Sequence, residues 1–240
     1  MDLLGKATPM RITSFIAASA LLVSAPAAVA QEYVDFKSPA DGFSIVFPVQ
    51  PKVTESTFTT QNGSVLPSRI LAADTTTGRY VVTVVDYTNI HQIAIEKAKA
   101  CPPGAETCLG TESDVSSTGR GYWKADISGA TIYATYLYLQ RDAKLTFMGW
   151  ETMDLVEGTL ISLTNNTDGS HTSAGIYMHE NKLYLLEATE PKNVPPPDWF
   201  AQNVGWLEAD GTPIRYLSVY HQGYPRPQMA RRRAPEGAAN

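Results

Sequence analysis

The sequence predicts an α+β domain built on one large, mainly antiparallel sheet with one or two packed helices. Three observations lead there. Short runs rich in Val, Thr, Ile and aromatic residues recur along most of the chain, separated by turn dipeptides. Clean helical periodicity is confined to one stretch, with a shorter candidate near the C-terminal end. No internal repeat or linker divides the 240 residues, so one core is expected. With 43% apolar and 18% charged residues, disorder is disfavoured as the main state.

The first 30 residues read as a removable secretory signal. Lys6 and Arg11 precede the uncharged, largely apolar run 12–23, and Ala28-Val29-Ala30 supplies the small-x-small ending, with cleavage before Gln31. The run is shorter than the roughly 20 residues needed to span a bilayer. Export is therefore expected, to the periplasm in a bacterium and otherwise by secretion. The domain proper is expected over 31–222.

The strands follow in order. After the turn Ala40-Asp41-Gly42, Phe43, Ile45 and Phe47 share one face of a short strand. Residues 53–60 and 65–73 flank Gln61-Asn62-Gly63-Ser64, and Asn-Gly is the strongest short hairpin signal. The nearly continuous β-branched run in 79–87 suits a central strand. Ile90, Ile93, Ala94 and Ala98 then line one face of a helix that Thr88 or Asn89 can cap and Cys101-Pro102-Pro103-Gly104 stops. Beyond Gly110, residues 122–127 and 131–139 are strand-like in composition, and 144–152, 159–164, 173–179 and 183–188 add further candidates. Their turns are assigned to Arg141-Asp142, Glu157-Gly158, Asp168-Gly169 and Glu180-Asn181. A second helix is expected from Asp198, carrying Phe200, Ala201 and Val204 on one side, before a last strand over 214–220. Residues 223–240 have no periodicity and are expected to form a disordered basic tail.

The opening Phe36-Lys-Ser-Pro-Ala-Asp-Gly-Phe-Ser-Ile-Val-Phe-Pro48 resembles a pattern of exported PsbP-like domains. Leu183-Tyr-Leu-Leu-Glu-Ala188 and the Asp198-Trp-Phe helix resemble the end of that family. The resemblance implies a PsbP-like sandwich, an antiparallel sheet covered by helices, and a non-catalytic module that binds a partner. It carries over no binding residue.

Charge and motifs exclude more than they assign. Residues 31–222 hold 13 Lys and Arg against 22 Asp and Glu, a net charge of −9, so nucleic acid is not an expected partner. Cys101 and Cys108 are expected to form a structural disulfide in an oxidising compartment; a redox pair or a metal site is the alternative, but neither Cys-x-x-Cys nor extra nearby ligands occur. His91, His171, His179 and His221 form no metal-binding spacing. His171 and His179 share a strand face but lie roughly 26 Å apart. Residues 164–169 resemble half a calcium loop, but Gly175 stands where the closing Glu would be, so a hairpin turn explains them. No Gly-x-Ser-x-Gly elbow and no phosphate loop is present, and Asp154 with Glu157 is a pair that any acidic protein offers. The enzyme reading has no positive feature, and no cofactor is implied.

Aromatics remain. Tyr136 and Tyr138 are expected on one strand face with Tyr133 on the other, and Trp199 and Trp206 crowd the last helix. They read either as core and rim or as a contact surface formed by Tyr136, Tyr138, Trp199 and Trp206. The preferred function is an exported, non-catalytic module that binds an envelope protein or assists assembly. The alternatives are a domain for a small apolar ligand or lipid, with the middle strands curling around a pocket, and a hydrolase whose residues meet only in three dimensions.

Overall fold

The computed structural model describes residues 33–99 and 122–230, with the side chains of 97–99 and 122 excepted. Residues 1–30, read above as a leader, lie outside the described residues, as do Cys101, Cys108 and residues 231–240. The described residues belong to one compact unit.

The fold is α+β and mainly antiparallel. Among the described residues the main sheet has seven strands: β3 (Lys52–Thr59), β4 (Val65–Asp74), β5 (Arg79–Asp86), β6 (Ala143–Met153), β7 (Val156–Asn165), β8 (His171–His179) and β9 (Lys182–Glu190). Their order is β3-β4-β5-β9-β8-β7-β6, with every pair antiparallel. A second sheet joins β1 (Val34–Ser38), β2 (Phe43–Phe47) and β10 (Gly205–Trp206). The helices are α1 (Ile90–Lys99), α2 (Tyr122–Ser128), α3 (Ala130–Leu139) and the single turn α4 (Asp198–Ala201).

Alternation along the strands sends side chains to two cores. Tyr80, Val82 and Val84 of β5, with Tyr184 and Leu186 of β9, meet Phe43, Ile45 and Phe47 of β2 and Phe200 of α4. Val85, Ile161, Ala174 and Ile176 point the other way, against Ile90 of α1 and Ala130, Ala134 and Tyr138 of α3. The molecule is therefore three layers deep: helices, the large sheet, and the small sheet with α4.

The Ala40-Asp41-Gly42 turn shows what the opening motif does. Gly42 sits at φ +79°, where a side chain is disfavoured. Asp41 accepts from Ser38 Oγ at 2.6 Å and Arg69 Nη1 at 2.5 Å, and its carbonyl accepts from the Tyr184 hydroxyl at 2.5 Å. The motif ties the small sheet to the large one.

Several expectations need correction. Residues 122–127 and 131–139 are the helices α2 and α3, so the middle does not curl into a strand-lined pocket. Tertiary burial overrides composition there: Ala130, Ala134 and Tyr138 recur every four residues and all face the sheet. The β6–β7 turn is Asp154-Leu155, both at positive φ, rather than Glu157-Gly158. Gly158 is a strand residue over which the Tyr177 ring lies, and a Cβ there would meet Tyr177 Cδ1 at 2.4 Å. Residues 214–220 form a strap instead of a strand, tied by isolated bridges from Tyr216 to Met229 and from Tyr220 to Val156. The docked chain also extends past Gly223. Arg226 reaches Glu180 at 3.1 Å and Glu208 at 2.9 Å, and Ala230 N donates to Arg215 O at 2.7 Å. Residues 223–230 are thus part of the body.

Candidate functional site

The two edges of the large sheet differ in chemistry. β3 is mostly Lys, Thr, Glu and Ser, the polar composition that discourages edge pairing. β6 is 11 residues long and, among the described residues, pairs only with β7, leaving one row of its backbone donors and acceptors unpaired by any described strand. It nevertheless exposes Leu145, Phe147, Met148 and Trp150, the last at 68%. A bulge at Thr146 shifts the register between Leu145 and Phe147. Leu145, Met148 and Trp150, opposite Leu163, Ile161 and Thr159, therefore share the helical side, while Phe147 and Gly149 take the other. The Phe147 ring covers Gly149, where a Cβ would meet its Cζ at 2.8 Å.

On the helical side, β6 borders a cleft of about 210 Å3. Its floor is Trp150, Thr159, Glu157 and Met178; its wall is Ile127, Ser128 and Thr131 at the α2–α3 junction. Glu157 Oε2 lies 2.6 Å from His221 Nδ1, and Gln222 closes one end, its amide held by Asn181. The position of α2 depends on Asp126, which is buried and accepts from Thr60 Oγ1 at 2.7 Å, Asn62 N at 3.0 Å and Asn62 Nδ2 at 2.9 Å. That ties the cleft wall to the Asn62-Gly63 hairpin.

The opposite side of the sheet near β6 carries polar ties. The Tyr177 hydroxyl donates to Glu151, and Ser173 donates to Asp198 at the start of α4. Burial raises the Glu151 carboxyl, with the Asp198 charge adding to it. Burial chiefly, then Glu151, raises the Tyr177 phenol. These groups lock α4 to the sheet. Asp154 and Glu157 do not act as a pair, since Arg215 holds the first and His221 the second.

The histidines are dispersed. His179 is buried among Trp206, Tyr216 and Tyr220, with Nε2 2.8 Å from the Tyr216 hydroxyl. Desolvation chiefly, then Arg226 and Lys182, lowers its pKa from 6.5 to about 3. His91 packs on Trp123, with ring centroids 4.8 Å apart. His171 stands at the other end of β8. Among the described residues, no three His, Cys, Asp or Glu side chains are grouped to hold a metal ion. The loop 164–169 is the β7–β8 hairpin turn, with Gly169 at φ +75°.

The four aromatics proposed as a contact surface do not come together. Tyr138 is buried, its hydroxyl donating to Glu187 beside Arg141, and Trp206 is buried with Nε1 donating to Met153 O. Tyr136 is exposed and stacks on Tyr133, and Trp199 is half-exposed against Tyr33 and Tyr80. The exposed apolar residues of β6 were absent from that set, although Leu145-Thr-Phe-Met-Gly-Trp150 is apolar on both alternation phases, which a half-solvated strand does not need.

The architecture is that of an α+β domain with a helical layer and a small sheet on opposite faces of a larger one. No protein-family model matches the chain, and no curated protein matches it. Among solved structures it is similar to the solution structure of cyanobacterial PsbP (CyanoP) from Synechocystis sp. PCC 6803. The TM-score is 0.36 at 12% identity, covering 72% of this chain and 88% of that one. This is a likeness of fold and carries no residue or partner across. No helix among the described residues is long and apolar enough to cross a membrane.

Proposed function

We propose that the protein is an exported, non-catalytic module that binds another envelope protein by adding an extended segment of it to β6. The observation that carries this reading is the β6 edge: an 11-residue strand, unpaired on one side by any strand among the described residues, exposing Leu145, Phe147, Met148 and Trp150. Strand addition draws affinity from main-chain hydrogen bonds and specificity from side chains alternating into neighbouring pockets. From Leu145 to Trp150 this edge carries no charged side chain, and an exposed apolar edge is otherwise an aggregation hazard, so that stretch calls for an occupant. The export reading rests on the leader-like residues 1–30.

The test places a photocrosslinking phenylalanine analogue at position 147 and, as control, at Val53 on the opposite edge, in the cell that exports the protein. The adduct at 147 is identified by mass spectrometry, and the crosslinked segment is made as a peptide. The reading expects adducts at 147 and not at 53, and hydrogen-exchange protection of β6 amides when the peptide is added. Equal adducts at both edges, or a peptide that protects no β6 amide, overturns it.

A further inference from the structure

The cleft beside Trp150 has one sign of charge. Among the described residues that line it, Glu157 is the only ionisable group, and no described Lys or Arg is part of the lining. Of the two carboxylate oxygens of Glu157, Oε2 faces His221, and Oε1 has no described hydrogen bond. Register puts Glu157 on the same sheet face as Trp150: Trp150 opposes Thr159, and Glu157 opposes Thr152, one step further along. An exposed indole and a carboxylate thus share one floor, with the hydroxyl-bearing residues Ser128 and Thr131 in the wall. An indole face attracts a cation, and a neighbouring carboxylate adds to that attraction. At about 210 Å3 the cleft holds one side chain rather than a drug-sized ligand.

The occupant is constrained by charge as well as size. With 14 Lys and Arg against 22 Asp and Glu over residues 31–230, a net charge of −8, two copies of the body repel at long range, whereas a basic segment is drawn in. We propose that this cleft receives a lysine or arginine side chain from the partner segment that adds to β6. The inference rests on the reading of β6 as the partner edge and names the chemistry of what docks there. A strand added to β6 has alternate side chains on its helical side, next to Trp150, and one of these reaches the cleft.

The experiment uses the full chain with three small probes: the N-acetyl methylamides of arginine, lysine and norleucine, the last an uncharged match. Binding is followed by two-dimensional amide NMR. Expected are saturable millimolar shifts at Thr131, Thr159 and Met178 with arginine and lysine, and at least tenfold weaker binding of norleucine. Trp150→Leu and Glu157→Gln each weaken binding at least fivefold, and 0.5 M salt weakens it as well. Trp150 is largely exposed, so its replacement removes no core packing. Norleucine binding as well as arginine overturns the proposal, and so does the absence of saturable shifts with either cation. Failure here while crosslinking at 147 persists removes this inference alone. Cation binding without crosslinking removes the edge reading and leaves the cleft as a site for free cations.

Discussion

Replacing His179 with Gln removes a group whose protonation opposes folding. His179 is 1% exposed, and desolvation, then Arg226 and Lys182, lower its pKa from 6.5 to about 3. Arg226 Nε donates to the Tyr216 hydroxyl at 3.2 Å, which directs that hydroxyl's own proton to His179 Nε2. The ring is thus held neutral, with Nδ1 lacking an acceptor among the described residues. The unfolded chain binds the proton at higher pH than the native one. Stability from this group is therefore intact above pH 6.5 and lost progressively as pH falls from 6.5 toward 3. At pH 4.5 the unfolded histidine is almost fully charged and the native one almost fully neutral, a cost of about 2–3 kcal/mol. Urea unfolding followed by circular dichroism, at pH 7.5 and 4.5, isolates the effect. At pH 7.5 His179→Gln is less stable than wild type by about 1–2 kcal/mol, from lost packing. At pH 4.5 that gap closes or reverses, moving by about 2–3 kcal/mol in favour of the variant. Groups other than His179 are common to both proteins and cancel in the comparison. A gap unchanged between the two pH values refutes the reasoning.

Three further outcomes are expected. Asp126→Ala strips the acceptors from Thr60 and Asn62 and lowers stability by about 2–3 kcal/mol in urea, with the cleft wall loosening in amide exchange. Truncation after Gln222 removes the Arg226 ties to Glu180 and Glu208 and the backbone bonds to Arg215 and Leu217, so the melting temperature drops by several degrees. Alkylation of unreduced protein recovered after export leaves Cys101 and Cys108 unlabelled and joined in the mass spectrum; full labelling of both removes the structural-disulfide reading.

The strands that pack on both faces were legible because their residues answer to local rules. Phe43, Ile45 and Phe47 alternate into one core, and the run in β5 is apolar on both phases, as a central strand requires. Glu180-Asn181 is a two-residue turn at positive φ, readable from turn chemistry. What was not legible depended on partners far away in sequence. Residues 131–139 are rich in β-branched and aromatic side chains, yet form α3 because one face fits the sheet while Ile132 and Tyr136 stay in solvent. Thr135 Oγ1 returns to Thr131 O, a helical back-bond that composition does not announce. The site was hidden for a similar reason. Trp150 looks like any strand aromatic until strand order makes β6 an edge, and strand order is a property of the whole chain.

The large sheet is two local meanders sewn together at one seam. β3, β4 and β5 form one by successive hairpins and β6 to β9 form the other; among the described residues only the β5–β9 pairing joins them within that sheet. All three helices of the upper layer fall between the two meanders in sequence. Cutting the backbone between α1 and α2 would leave each meander whole, so the molecule is a natural template for a split reporter. Two separately expressed halves would reunite along β5 and β9, with β10 finding β2 as a second clasp. In such a pair the β6 edge stays on the C-terminal fragment, where it could be varied without touching the half that carries β1 to β5.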